Sequence, residues 1–373
     1  MKEFLTFKSG KFYFSDIFDE AKINNLLVRA AVLNETVAEL PILPELSSRL
    51  VPDIMYSSIS GTAMIEGNPI RGEDVKRIAN GEDIETYTKK DKQEIINLIS
   101  AYTLLSGIKP SGDPLILTEE LIKKLHKTIT NDVPDENNIP GQYRNGIVHV
   151  GDKAHGGKYT PPKILDDIKN LMAEFTAWIN SRDIIALDPF LRASLAHYHF
   201  CLIHPFWDGN GRTARLLEAM LLQSSKIKYV PIELSNYYYR NVDDYYFAFS
   251  KSIKLKKDVT PFIEFMLTAS VESLRAIKSS IVDFIRKFSL RDLYAYERQQ
   301  KTITQRQFDL LSLLLDNPVE LTLKELFIKN PYALLYGKVS TQTARRDLKR
   351  LTDMDFLNIS ADNKYHLNLR VLG

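Results

Sequence analysis

Cysteine is nearly absent. Cys201 is the single one in 373 residues, which rules out an internal disulfide framework and points to a reducing compartment, the cytoplasm. Cys201 lies in an apolar helical run, where a small thiol serves packing. Long hydrophobic runs are absent too. No apolar stretch reaches the ~18 residues a spanning helix needs, and the opening MKEFLTFKSGKFYF holds no run of signal-peptide length, so no membrane partner is expected. Charge of one sign is also lacking: 49 Lys and Arg face 47 Asp and Glu. No global basic field advertises nucleic acid, so any such site must be local. There is no internal repeat and no low-complexity tract. What remains, 44% hydrophobic and 26% charged residues, reads as a globular chain, too long for one ordinary core and suited to two or three domains.

Helical periodicity fills most of the chain. Residues 20–40 read as a helix stopped by Pro41. Asp53 can cap a helix running to about Glu66, with Gly67 as its C′ residue and Pro69 preventing continuation. Glu94 to Leu105 is apolar-striped. Pro110-Ser111-Gly112-Asp113-Pro114 is a break, after which Thr118 is the candidate N-cap of a helix with Leu121, Leu125 and Ile129 on one face. The segment 131–162 is rich in Asn, Gly and Pro. Its stretches Ile147-Val148-His149-Val150 and Tyr159-Thr160-Pro161-Pro162, around a polar tip, read as a hairpin. Helix resumes from about 163 to 180. Asp188-Pro189 opens another, apolar nearly all round and therefore central.

From about residue 300 the pattern changes. Gln305–Leu315, Thr322–Lys329 and Ser340–Thr352 read as three helices, and Phe356–Ile359 with Tyr365–Leu369 as a hairpin around Asp362-Asn363. Three helices and a two-stranded wing resemble a winged helix-turn-helix.

The chemistry concentrates in His204-Pro205-Phe206-Trp207-Asp208-Gly209-Asn210-Gly211-Arg212-Thr213-Ala214-Arg215. Gly209-Asn210-Gly211 lies between two helical runs and can turn successive N–H groups into one concavity. The next helix N-terminus adds partial positive charge. Arg212 and Arg215, three apart, share a helix face beside that nest, an arrangement suited to a polyphosphate. Asp208 can hold Mg2+, which binds nucleotides through carboxylates and phosphate oxygens. His204 has an ordinary pKa of about 6.5 and suits proton abstraction near neutrality. Phe206 anchors the loop by packing. Taken singly, each feature is commonplace: a Gly-Asn-Gly turn is usually only a turn, and an Arg-x-x-Arg pair usually a solvated face. Zinc is not expected, because His197 and His199 diverge by about 200° on a helix.

The stretch resembles the signature of the Fic family, H-P-F-x-D-G-N-G-R-x-x-R, with every defining position filled. That resemblance implies transfer of AMP from ATP to a Ser, Thr or Tyr hydroxyl of a protein substrate. It implies His204 as general base and Asp208 as Mg2+ ligand. Gly209, Asn210 and Gly211 would lie at the α-phosphate, with Arg212, Thr213 and Arg215 also on the nucleotide. Gly141-Gln142-Tyr143-Arg144 and the 147–162 hairpin resemble the family's target-binding flap, with Ile147, Val148, His149 and Val150 as the edge to which a target segment adds. Tyr245 and Tyr246 resemble a family pair near the adenine, with Tyr238 and Asn241 as weaker candidates. Thr62-Ala63-Met64-Ile65-Glu66-Gly67 fits the family's inhibitory pattern [S/T]-x-x-x-E-[G/N]. Thr62 and Glu66 share a helix face, and the resemblance pairs Glu66 with Arg215, the guanidinium needed by the γ-phosphate.

The expected fold is therefore mainly α: a Fic-type helical core with a small β-hairpin flap, plus a C-terminal winged helix-turn-helix. The expected division is 1–110 with the inhibitory helix at about 53–67, 111–270 as the catalytic core, 271–299 as a helical linker and 300–373 as the winged-helix domain. Arg345, Arg346, Lys349 and Arg350 lie on its third helix, but Asp347 and Asp353 nearby weigh against DNA, and a protein-interaction or dimerisation module is favoured. The expected activity is self-inhibited protein adenylylation, with auto-modification. A DNA-binding regulator with a nucleotide-sensing core, and an enzyme that removes AMP or transfers another group, are the alternatives. A homodimer is left open.

Overall fold

The computed structural model describes residues 1–42, 44–109, 113–227 and 229–372, apart from the side chains of Glu45, Ser47 and Arg49. The predicted break at Pro110, Ser111 and Gly112 lies outside the described residues. The chain is mainly helical and divides into two compact units, 1–278 and 279–373. The division falls within one long helix, so the stretch expected as a linker from 271 is continuous with the helix before it.

The first unit opens on an antiparallel hairpin absent from the sequence reading, β1 (Lys2–Leu5) and β2 (Lys11–Phe14), with Phe4 opposite Phe12. Phe14 is fully buried and stacks on Trp178 at 5.4 Å. Helix α1 (Glu20–Glu39) starts where Asp19 accepts from the Ala21 N–H. Helix α2 runs Pro44–Ile65. It begins well before Asp53, which lies inside it and not at its start. Pro52 sits within this helix, where a missing N–H ordinarily argues for a helix end. Packing along α10 (Val230–Arg240) overrides that local cost. Gly61 of α2 faces the Ser235 and Asn236 backbone so closely that a Cβ would clash. Glu66 follows the last helical residue, and Gly67 takes φ +89°.

Helices α3 (Gly72–Ala79), α4 (Lys89–Ser106) and α5 (Glu119–Thr130) follow. α4 opens with a capping box between Thr88 and Asp91, and Thr118 caps α5 as expected, accepting from the Leu121 N–H. Next come α6 (Leu165–Ile179), α7 (Arg182–Ile185), α8 (Pro189–Ile203), α9 (Asn210–Ser224), α11 (Val242–Leu255) and α12 (Thr260–Gln299). Asp188 caps α8, whose side chains are buried from Phe190 to Phe200 on every face. The all-round apolar pattern thus places α8 at the centre, flanked by α6 and α9. Between α5 and α6 the expected two-stranded flap is reduced to one bridge, Val150 opposite Tyr159, each N–H donating to the other's carbonyl at 2.9 and 2.8 Å. Pro161 and Pro162 lack the N–H groups that a longer ladder needs.

The second unit contains the end of α12, then α13 (Gln305–Asp316), α14 (Glu325–Ile328), α15 (Tyr332–Tyr336), α16 (Thr341–Asp353) and the antiparallel pair β3 (Leu357–Ile359) and β4 (Tyr365–Leu367). The helix expected over 322–329 is a single turn, and α15 is a second short helix in the stretch left unassigned. Leu290, Tyr294, Leu310, Leu314, Tyr336, Leu348 and Leu351 are among the buried residues of its own core.

Candidate active site

Helix α8 ends at His204, which takes a left-handed conformation at φ 50° and ψ 59°. The chain there leaves the buried helix and turns toward α9. Arg144 fixes this corner. It is wholly buried and donates from Nε to the His204 carbonyl at 2.7 Å and from Nη2 to Pro162 O at 2.7 Å. The Arg144 N–H donates to Pro205 O at 2.9 Å. Burial brings the Arg144 pKa down to about 10.

The next residues are held from inside and from the side. Asn210 turns its amide back on the loop, accepting from the Phe206 N–H at 2.9 Å and donating to Phe206 O at 2.8 Å. Thr213 Oγ1 donates to Gly209 O at 2.8 Å. His126 of α5 stacks on Phe206 with ring centres 3.6 Å apart. Its Nδ1 accepts from the Gly141 N–H at 2.9 Å, so Nε2 carries the hydrogen donated to Asp208 O, also at 2.9 Å. Burial pushes this imidazole down to about 4, which keeps it neutral. Neither Arg144 nor His126 was singled out as a site residue from sequence. Arg144 was visible only as part of the Gly141–Arg144 resemblance, and His126 not at all.

His204 lies on the wall of a pocket of about 490 Å3, together with Gly211, Arg215, Tyr245, Tyr246 and Glu66. The flap contributes His149, Val150 and Tyr159 from the other side. Burial, with Arg144 adding to it, lowers the His204 pKa to about 4. Its ring is therefore neutral across the physiological range. Nδ1 is buried at the end of α8, toward the Cys201 backbone.

Arg215 is buried, and three contacts hold its guanidinium against the end of α2. Nε donates to Thr62 Oγ1 at 2.7 Å, and Nη2 to Thr62 O at 3.3 Å and to Glu66 Oε1 at 2.6 Å. Burial opposes the Arg215 charge, but the Glu66 carboxylate and Tyr245 together outweigh it, so the pKa is raised. Gly211 permits this approach, since a Cβ there would collide with Glu66 Oε1. Arg212 turns the other way. Its Nη2 donates to Asp208 Oδ2 at 2.7 Å, and Nη1 lies 3.6 Å from Glu94 Oε1. Burial raises the Asp208 pKa, but Arg212 and the Gly209 N–H outweigh it, and the net shift is downward. Asp208 thus stays ionised.

Of the expected nucleotide residues, Gly211, Arg215, Tyr245, Tyr246 and Glu66 line this wall, and Gly209, Asn210, Arg212, Thr213, Tyr238 and Asn241 do not. Tyr238 is fully buried, and its hydroxyl donates to Glu218 at 2.8 Å. Asn241 Nδ2 donates to Tyr237 O at the end of α10. Ile147 is 59% exposed on the outer flap, and Val148 also lies outside the pocket wall. His197 and His199 point apart: His197 meets Tyr245 and Glu218, and His199 meets Ser15. Among the described residues no three His, Cys, Asp or Glu side chains are grouped to hold a metal. Asp208 alone fits Mg2+, which takes one or two carboxylates and otherwise phosphate oxygens and water.

Residues 116–222 match the Fic/DOC family model, so the chain carries a Fic domain. The chain is 27% identical over 231 residues to protein adenylyltransferase fic-1 of Caenorhabditis briggsae, covering 61% of this chain and 42% of that protein. It is 34% identical over 159 residues to the protein adenylyltransferase Fic of Drosophila erecta, covering 42% and 29%. The chain thus spans less than half the length of these relatives. A Fic family protein from Desulfovibrio desulfuricans shares the fold with a TM-score of 0.60 at 22% identity, covering 95% of this chain and 98% of that one. A Fic domain containing signaling protein from Bacteroides thetaiotaomicron does so at 0.57 and 22%, covering 69% and 96%.

Proposed function

We propose that this chain is a self-inhibited protein adenylyltransferase. The observation that carries the reading is the Glu66–Arg215 ion pair inside the pocket that His204 lines. A target hydroxyl held between His204 and a bound ATP attacks the α-phosphorus. His204 takes the hydroxyl proton, the new oxygen–phosphorus bond forms, and the bond to pyrophosphate breaks. With Nδ1 buried against the helix end, Nε2 is the nitrogen that receives the proton. Gly209, Asn210 and Gly211 supply the backbone of the α-phosphate nest, with Arg212 and Arg215 on the outer phosphates. Asp208 would hold Mg2+, which neutralises phosphate charge when bound. Tyr245 and Tyr246 form the base side, and Ile147 to Val150 the edge that orients a target strand. While Glu66 occupies Arg215, the γ-phosphate lacks its guanidinium and ATP is held unproductively.

The test is incubation of wild type and Glu66→Gly with Mg-ATP, followed by intact-mass and peptide mass spectrometry. We expect an AMP adduct on the chain itself, stronger in Glu66→Gly. A different added mass would favour transfer of another group, and no adduct in either form would remove the transferase reading. The lone Cys201 supports a cytoplasmic setting, and among the described residues no helix is long and apolar enough to cross a membrane.

For the second unit we favour a winged-helix interaction module, for which the exposed apolar residues Ile328 and Leu334 are the supporting observation. One finding favours polyanion contact as a second reading. Asp347 turns inward to Arg306 at 2.7 Å and Gln307 at 3.1 Å, which leaves Arg345, Arg346, Lys349 and Arg350 exposed. Steeply salt-dependent binding of the full chain to duplex DNA would support that second reading.

A further inference from the structure

The flap carries a side chain that the 204–215 motif does not account for. His155 sits at its tip and points across to the start of α11. Nδ1 lies 2.9 Å from Asp152 Oδ1 and 2.9 Å from Asp152 Oδ2, and Nε2 lies 2.9 Å from Asp243 Oδ1. The ring packs on Tyr246 and Phe247 with centres 5.2 and 5.4 Å apart. Asp152 and Asp243 remain 57% and 77% exposed, whereas His155 is only 19% exposed. A neutral imidazole has one N–H and can satisfy one of these carboxylates. Both ring nitrogens can donate only in the imidazolium.

We propose that His155 is a positioning residue: as an imidazolium it straps the flap to α11 through Asp243 and so holds the target-binding edge over the pocket. This rests on the transferase reading for its consequence, though not for the contact itself. The strap connects three things the reaction needs in register. The Val150–Tyr159 bridge that defines the edge lies in the same loop, and the loop is closed by the Gly157 N–H donating to Asp152 O at 2.8 Å. Tyr246, one ring of the base side, forms the surface on which His155 rests. Without the strap the loop keeps its own turn but loses its only side-chain ion pair to α11 among the described residues.

The groups that face His155 set its titration. Asp152 faces it from the flap, and Asp243 and Tyr246 from α11, while Lys158 and Lys254 line the same pocket. Asp243 first and Asp152 next hold its pKa above the ordinary value, against slight burial. The sign follows: the strap is intact below the ordinary histidine pKa of about 6.5 and loosens as pH rises through the raised value. Exposed ion pairs are individually weak, so the expected effect is a several-fold change in flap opening and not an all-or-none gate.

The test compares the full-length protein with Asp243→Asn and His155→Gln by hydrogen–deuterium exchange at about pH 6 and about pH 8.5. At the lower pH the Val150, Gly157 and Tyr159 amides should exchange several-fold faster in both variants than in wild type. At the higher pH the three proteins should match. Equal exchange at the lower pH overturns the strap. In parallel, auto-labelling with labelled ATP is measured in a Glu66→Gly background. Adding Asp243→Asn should lower the initial rate several-fold at the lower pH and little at the higher. Altered exchange with unaltered labelling overturns the positioning role. No labelling in any form overturns the transferase reading, and exchange still decides the strap.

Discussion

His204 is held in a backbone conformation that few non-glycine residues adopt, and Arg144 fixes its carbonyl from below. The side chain is therefore placed by the backbone of the helix end. Replacing the ring should leave the corner intact. We expect His204→Ala in a Glu66→Gly background to lose roughly 10²–10⁴-fold in AMP transfer with nearly unchanged ATP affinity, measured by auto-labelling rate and by calorimetry. With the imidazole pKa near 4, the unprotonated base is available throughout the neutral range, so its limb of the rate profile should fall only in acid. Loss of ATP affinity equal to the loss of rate would show that His204 holds nucleotide instead of activating the hydroxyl. The residues that place His204 were harder to see in the sequence than His204 itself. Arg144 and His126 act through carbonyls and ring stacking brought together by folding, and neither kind of partner leaves a spacing that can be read along the chain.

At the scale of elements, the local signals that worked were those with short-range chemistry. Thr118 and Asp188 cap their helices because a side-chain oxygen reaches an N–H two or three residues on. Signals that depend on tertiary packing failed. Asp53 read as the cap that begins α2, but α2 is supported along α10 and begins at Pro44. The flap looked like a hairpin, but its prolines and glycines leave one bridge. The end of α2 and the start of α9 meet through Thr62, Glu66, Gly211 and Arg215, and this junction makes a further prediction. Glu66→Gly should raise the initial labelling rate well above wild type, and the gain should vanish when Arg215→Ala is added, because one guanidinium serves either Glu66 or the γ-phosphate. The comparison needs wild type, both single variants and the double variant. A double variant as active as Glu66→Gly would mean that Glu66 acts through some other group. The pairing of Glu66 with Arg215 was legible only through the six-residue pattern. Nothing in the sequence indicates contact across their separation of 149 residues.

At the scale of the whole molecule, every candidate site residue for nucleotide and target falls within 1–278, and residues 279–373 bury a separate set of apolar side chains. Both tryptophans, Trp178 and Trp207, also fall in the first unit. Tryptophan fluorescence therefore reports on one unit, whereas far-ultraviolet circular dichroism reports helix in both. Leu314 is 1% exposed in the core of the second unit. Truncating it leaves a cavity, and a buried Leu→Ala change typically costs about 2–5 kcal/mol. We expect Leu314→Ala to move part of the dichroism transition to lower denaturant, while the tryptophan transition and ATP affinity stay at their wild-type values. If the fluorescence transition moved by the same amount, the two cores would unfold as one cooperative structure, and the second unit would have to be counted as part of what holds the active site together.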